Sequence, residues 1–235
     1  MESTLNTQAS NPSRSDTDSE TAERDAIAGR AAQSMRTPAF FEEAPRITVR
    51  DALAETLGAA DGGVIDYSYV DAVKLAGHSC PTVAGAWLMT RAALIRLYPN
   101  ELPRRGELQV EMREAQESGV AGVIAGVAGL VTGAAGAGGF KGLGGRHVRR
   151  GLLEFARPMR GHMRITRVDT GHGVEVAHHP EVVARPALLG LLMQAALSPG
   201  ADAAARLAFA TAWQGWVRTM LVDHANDPAL ITLED

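Results

Sequence analysis

Met163-Arg164-Ile165-Thr166-Arg167-Val168 and Gly173-Val174-Glu175-Val176-Ala177 alternate apolar and polar side chains on either side of Asp169-Thr170-Gly171-His172. Successive side chains of a strand point to opposite faces, so each run has one face to bury and one for water. The link between them reads as a hairpin turn. Upstream, Glu107-Leu108-Gln109-Val110-Glu111-Met112-Arg113 repeats the alternation. Three half-buried strands need a covering layer, and the segments around them have helical spacing. The expected fold is therefore mixed α and β, a sheet packed with helices.

The helical segments carry start and stop signals. Tyr69 to Leu75 has helical spacing, and Pro81 suits the first turn of an apolar helix running from Val83 to Tyr98 and stopped by Pro99-Asn100. Val120 to Val131 is an apolar helix punctuated by glycines. Pro186 opens a helix over Leu188 to Leu197, which Ser198-Pro199-Gly200 breaks. A long amphipathic helix then runs from Ala203 to about Asp223, carrying Leu207, Phe209, Trp213, Trp216 and Leu221. Nearer the start, Thr48 stands as N-cap to a helix over Val49 to Leu57, with Val49, Leu53 and Leu57 as its stripe and Gly58 as its end. Val64-Ile65-Asp66-Tyr67 is a short β-prone run.

Composition bounds the function. The chain has 235 residues, 46% of them hydrophobic and 21% charged, with a net charge of -4 and a single cysteine. That is enough apolar material for one sizeable core, expected over residues 39–235. Residues 1–38 are rich in Ser, Thr, Asn, Asp and Glu and read as a disordered tail, with neither the apolar block of a secretory signal nor the acid-poor composition of a transit peptide. The acidic balance gives no global attraction for nucleic acid or an anionic membrane. Gly119 to Gly138 is about long enough to span a bilayer, but so poor in Leu and Phe that a helix packed on the sheet is the better reading. One thiol forms no internal disulfide and fits a cytoplasmic protein.

Gly77-His78-Ser79-Cys80-Pro81 is where chemistry concentrates. A thiolate and an imidazole two residues apart can reach one soft or borderline cation, and a helix N-terminus favours the anion. The pair suits zinc or iron. A lone cysteine also serves as a small core residue, and two ligands do not close a zinc site. Asp66, Asp71, His147 and Glu111 are candidates for the rest, with water or a second copy of the chain as other sources. Cys80-Pro81 is also a dipeptide of some haem-thiolate sites, where Trp87, Met89 and Phe140 would line the pocket. A cysteine hydrolase would pair Cys80 with His147 or His162, without a recognisable local signature.

The stretch from Gly133 to Arg146 is unusually rich in glycine and is followed by Arg149 and Arg150. Its amides, with Lys141 and Arg146, could cradle an anion, yet it lacks the Gly-Lys-Ser/Thr ending of a P-loop. A loop folded over the His/Cys segment is the competing reading. His178-His179 looks metal-like, but neighbouring strand residues face opposite ways, so solvent-facing histidines are expected. Trp213 and Trp216 read as core or dimer interface.

Gly77-His78-Ser79-Cys80-Pro81-Thr82-Val83-Ala84-Gly85 resembles the Gly-His-x-Cys-Pro-Gly-x-x-x-Gly signature of the FmdE family, named after a component of formylmethanofuran dehydrogenase. The resemblance runs on through Leu130-Val131-Thr132-Gly133 and Phe140-Lys141-Gly142, and covers roughly Val64 to Phe155. It implies an α/β metal-binding domain, often a homodimer, in which His78 and Cys80 hold one metal ion, zinc before iron, with haem as the alternative. Lys141 and Arg146 would then approach a small-molecule substrate or cofactor. The chain departs from the family in having Ala134 where a cysteine is common, and in lacking the cysteine-rich zinc ribbon that many members append. The expected function is thus a cytoplasmic metal- or iron-cofactor-binding protein, either a small-molecule metalloenzyme or a noncatalytic sensor, carrier or accessory component of a redox complex. The oxidation that gives the family its name is not transferred.

Overall fold

The computed structural model describes Thr21 and residues 35–235, and the folded unit spans Pro38–Asp235. The tail expected over residues 1–38 lies almost wholly outside the described residues.

The core sheet has five strands in the order β4-β3-β5-β6-β7: β3 is Leu108–Met112, β4 Leu153–Glu154, β5 Met163–Arg167, β6 Gly173–His178 and β7 Ile231–Glu234. β4 runs parallel to β3, and the other pairs are antiparallel. The expected hairpin is β5–β6, with Ile165 opposite Val174 and Met163 opposite Val176. Val110 continues the first of these rows across β3. All five side chains are fully buried, as period-two alternation requires of the inward face.

A second, two-stranded sheet pairs β1 (Ile47–Arg50) with β2 (Val64–Tyr67), Val49 opposite Ile65. Here the expectation of a helix starting after Thr48 fails. Ile47 and Val49 are β-branched and point inward, while Thr48 turns its hydroxyl outward to donate to Asp66 Oδ1 at 2.9 Å. The helix begins one turn later as α1 (Ala52–Thr56). Its cap is Asp51, whose carboxylate accepts from the amides of Leu53 and Ala54. Leu57, expected on the apolar stripe, is exposed.

The remaining helices are α2 (Tyr69–Ala76), α3 (Pro81–Leu97), α4 (Ala121–Thr132), α5 (Leu189–Leu197) and α6 (Ala203–Arg218), the last widening into a π turn over Thr219–Asp223. α3 lies across β5, β6 and β7 and packs on α4 along its length. Val83, Ala84, Ala86, Trp87, Leu88, Met89, Ala93, Leu94 and Leu97 of α3 are buried, so this helix is the centre of the core. α4, the apolar segment, has 12 residues and is about 18 Å long at 1.5 Å per residue. It packs in the globule as the sheet-packing reading expects, and no helix among the described residues is long and apolar enough to cross a membrane.

Candidate functional site

The His/Cys segment joins α2 to α3. α2 starts where the Asp71 carboxylate accepts from both the amide and the hydroxyl of Ser68. It stops at Gly77, whose φ of 75° turns the chain in the left-handed region that favours glycine. The turn leaves His78 exposed with Nδ1 2.9 Å from the carbonyl oxygen of Ala76. A carbonyl only accepts, so Nδ1 carries the proton and the lone pair of the neutral ring sits on Nε2.

Cys80 is the N-cap of α3, in extended conformation, and its Sγ accepts from the amide of Val83 at 3.5 Å. Pro81 fills the first helical position, where no amide is needed. Between the two candidate ligands, Ser79 is held from both sides. Its hydroxyl shares a 3.0 Å hydrogen bond with Tyr69, and its carbonyl oxygen accepts from Trp213 Nε1 at 3.0 Å and Gln214 Nε2 at 3.2 Å. Tyr69 is fully buried, and that burial lifts its phenol well above the usual range. The bond to Ser79 opposes the shift and the nearby Cys80 adds to it. Gln214 Oε1 is a buried acceptor with no donor among the described residues. Trp213 also stacks edge-on against Trp216. Helical spacing pointed to these tryptophans as core or interface, and missed that α6 clasps the loop between His78 and Cys80.

The other sequence candidates are spread through the molecule. Asp66 is bound by Arg46 Nε at 2.6 Å and by Thr48, Asp71 is used by the α2 cap, and Glu111 lies between Arg157 and Arg164. His147 sits on the glycine-rich loop in the left-handed region. Among the described residues, no three or more His, Cys, Asp and Glu side chains gather as a metal-ligand group. Trp87 and Met89 are buried in the core, Trp87 donating to the Pro45 carbonyl, while Phe140 is exposed on the glycine-rich loop. His162 lies at the sheet, where its Nδ1 accepts from the amide of His178 and burial lowers its pKa. Among the hydrogen bonds of the described residues, none joins it or His147 to Cys80.

The glycine-rich loop is pinned at its end rather than left open. Arg149 turns inward, 7% exposed, and its Nη2 donates to Asp51 at 2.6 Å, while Arg105 grips the other oxygen at 2.7 Å. Burial opposes the charge on Asp51, but the bond from Arg105 and the charge of Arg149 outweigh it and hold the carboxyl below its usual range. Arg149 is thereby spent on the fold. Lys141 and Arg146 stay exposed, with a tight turn between Leu143 and Arg146, and no polar contact among the described residues links either to His78 or Cys80.

His178 overturns the expectation of two solvent-facing histidines. Its ring packs against α3 at Gly85, and burial, then the neighbouring His162 and His179, push its pKa down to about 4. His178 is thus half-buried with its Nε2 covered, and His179, also half-buried, lies near Thr232 and Glu181.

No model of a known protein family matches the chain, and no curated protein does.

Proposed function

We propose that the protein binds one metal ion, zinc before iron, through His78 Nε2 and Cys80 Sγ, as the resemblance of residues 64–155 to the FmdE family implies. The observation that carries this reading is the bond from His78 Nδ1 to the Ala76 carbonyl. Metal-binding histidines characteristically donate their other ring N–H to a carbonyl or carboxylate, which fixes the tautomer and aims the lone pair. Two residues on, Cys80 Sγ faces the Val83 amide at the start of α3, and a thiolate is the form of cysteine that ligates. Imidazole and thiolate suit zinc and iron better than magnesium or calcium.

With two protein ligands, the remaining positions fall to water, to a small-molecule ligand, or to a second copy. A bound zinc supplies Lewis-acid chemistry and a bound iron adds redox chemistry. The chain's own contribution is to hold the Ser79 carbonyl with Trp213 and Gln214, which fixes the spacing of His78 and Cys80. Lys141 and Arg146 supply exposed positive charge for an anionic substrate or cofactor on the same molecule.

The protein is further proposed to act as a cytoplasmic homodimer. α5 has one buried residue, Leu189, and residues 186–201 contain no charge. Leu188, Leu191, Leu197 and Leu207 are 62, 66, 75 and 67% exposed on this hairpin of α5 and α6. Such a set of leucines needs a cover. The same chain offers an apolar groove of about 280 Å3 between α2 and α4, lined by Leu75, Ala76, Gly122, Val123, Gly126 and Val127. Projecting leucines and a glycine-floored groove on one chain are what a two-fold pairing of identical copies uses, each surface being buried twice.

Elemental analysis of the purified protein, with zinc and iron(II) titrations, tests the metal site. About one equivalent is expected for wild type, with loss on Cys80→Ala and on His78→Ala. A wild type that holds no metal and takes up neither ion overturns the reading. A strong visible absorption band replaces the simple ion by haem.

A further inference from the structure

We propose that strand β7 is a docking edge for a peptide. An extended segment of a partner protein adds to the five-stranded sheet beyond β7 and drops one aliphatic side chain into the cavity between β7 and α3.

β7 ends the sheet, and its register fixes which of its main-chain groups are unused. His178 stands opposite Ile231 and Val176 opposite Leu233, while the amide of His179 donates to the carbonyl of Leu230 at 2.8 Å. Antiparallel residues exchange both bonds at every second pair, so Thr232 and Glu234 are the ones bonded to β6. Ile231 and Leu233 turn their main-chain groups the other way, off the sheet. The amide of Ile231 is spent there on the carbonyl of Asp227 at 3.1 Å. The Ile231 carbonyl and both groups of Leu233 have no main-chain partner among the described residues.

Edge strands are commonly shielded by lysine, proline or a bulge. Ile231-Thr232-Leu233-Glu234 has none of these and pairs with β6 through four consecutive residues. Both ends are anchored, one by the bond to Asp227 and the other by Arg96, whose Nε donates to Asp235 Oδ1 at 3.0 Å. An edge already held in the extended form has little freedom to lose on binding.

Beside this edge lies a cavity of about 210 Å3, lined by Ala92 and Ile95 of α3, Ala225 and Pro228 of the turn before β7, and Ile231 and Leu233. Residues directly opposite one another share a face of the sheet, so Leu233 is on the face of the buried Val176, which α3 covers. That cover ends at the edge, where Ile95 is 54% and Leu233 40% exposed. The polar groups of the lining are engaged, Arg91 with Asn226, and Asp227 with His224 and the amide of Ala229. What is left open is aliphatic.

Unused main-chain groups beside an aliphatic hollow select a strand as occupant. Laid about 4.8 Å beyond β7, it bonds the Leu233 amide and carbonyl and the Ile231 carbonyl. Its residue opposite Leu233 points over Ile95 into the cavity and is a Val, Leu or Ile. The flanking residues fall on the other face, beside Thr232 and Glu234, and are polar. A cation suits the Glu234 carboxylate, which has Arg160 no nearer than 4.0 Å. A helix spends its main-chain groups internally and meets neither feature. A second copy pairing through its own β7 would bring Leu233, which already lines the cavity of its own chain. The metal site and the homodimer use none of these residues.

Calorimetric titration with the peptide acetyl-Thr-Lys-Leu-Lys-Thr-amide tests the edge, with the same peptide carrying Ser for Leu, and with its Leu N-methylated, as comparators. The parent is expected to bind one equivalent and each comparator at least roughly ten-fold more weakly, one lacking the side chain and the other the main-chain donor. Hydrogen exchange of the Leu233 amide should slow by at least roughly ten-fold at saturation. Leu233→Pro removes the outward amide without touching the ladder to β6 and should weaken binding by at least roughly ten-fold. Ile95→Glu, at an exposed position, places a charge in the cavity and should abolish binding; should the proline unsettle β7, this variant and the exchange rate decide alone. No heat with millimolar peptide overturns the proposal. So do comparators that bind as well as the parent, or a Leu233 amide that exchanges in the complex as fast as in the free protein. A free protein whose Leu233 amide is already protected, in a dimer that Leu233→Pro splits, gives the edge to a second copy and overturns it as well.

Discussion

The α-carbon of Gly85 faces the imidazole of His178 so closely that a β-carbon there would fall 2.1 Å from Nδ1 and 2.4 Å from Cε1. Helix α3 and strand β6 can approach to this distance only because residue 85 has no side chain. Any larger residue must displace the whole ring, whose Nε2 is already buried without a partner among the described residues. Gly85→Ala is therefore expected to destabilise the fold by roughly 1–3 kcal/mol in urea denaturation, the cost of overpacking. In a His178→Ala background the same substitution should cost much less, because the obstructing ring is gone. Equal costs in the two backgrounds would show that the contact is not the source of the effect.

The same histidine links stability to pH. Its folded pKa is about 4, against about 6.5 unfolded, so between these values the unfolded chain binds a proton that the folded one refuses. Its contribution is fully present above pH 6.5 and is lost as the pH falls toward 4. His162, shifted in the same direction, faces it, and the side chains of His179 and Glu181 are the other titratable groups that act on it. Carboxylates titrate in this range too, so the informative quantity is a difference between proteins. Wild type should lose up to roughly 3 kcal/mol more than His178→Gln between pH 6.5 and pH 4, as read from urea midpoints. Parallel pH profiles would place the titration elsewhere.

What the sequence disclosed follows the range of the forces involved. The β5–β6 hairpin was legible because alternation and a turn containing Gly171 lie within sixteen residues, and the start of α3 because Cys80-Pro81 is a local helix signal. The end strands were not: β4 pairs through two residues and β7 exists by pairing with β6, with His178 opposite Ile231. Thr48 misled because a hydroxyl before Val49 satisfies the capping rule, while the strand beside it is specified by Val64–Tyr67 further along the chain. At the His/Cys segment, spacing singles out His78 and Cys80 as candidates, and their setting was not legible. The Trp213 and Gln214 bonds to Ser79, the grip of Arg149 on Asp51 and the burial of His178 at Gly85 are all contacts across most of the fold.

The α5–α6 hairpin leads to a prediction about mass. A monomer is 24.8 kDa, and light scattering behind size exclusion should return twice that value for wild type. Leu191 is 66% exposed, so Leu191→Glu disturbs no packing within one copy but places a charge in the proposed contact. It should yield a monomer with unchanged circular dichroism. Gly126→Leu, which fills the groove from the other side, should do the same, because a two-fold interface fails when either surface is altered. A wild type that runs as a monomer at micromolar concentration removes the homodimer.

Trp213 and Gln214 separate positioning from ligation at the His/Cys segment. Both donate to the Ser79 carbonyl, and neither is a proposed ligand. If the clasp sets the spacing of His78 and Cys80, its removal should lower metal affinity without removing the donors, in the range of roughly 10- to 100-fold found for groups that orient ligands. Gln214→Leu is the sharper variant: it takes away one bond and at the same time the unpartnered buried Oε1, so the stability cost is expected to be small. Trp213→Phe removes the other donor while keeping most of the ring. Competition titrations with a chromophoric zinc chelator should show both variants still binding about one equivalent, with the double variant weaker than either. Cys80→Ala should bind none. Unaltered affinity in the double variant, beside a null Cys80→Ala, would leave the metal site standing and reduce the clasp to packing.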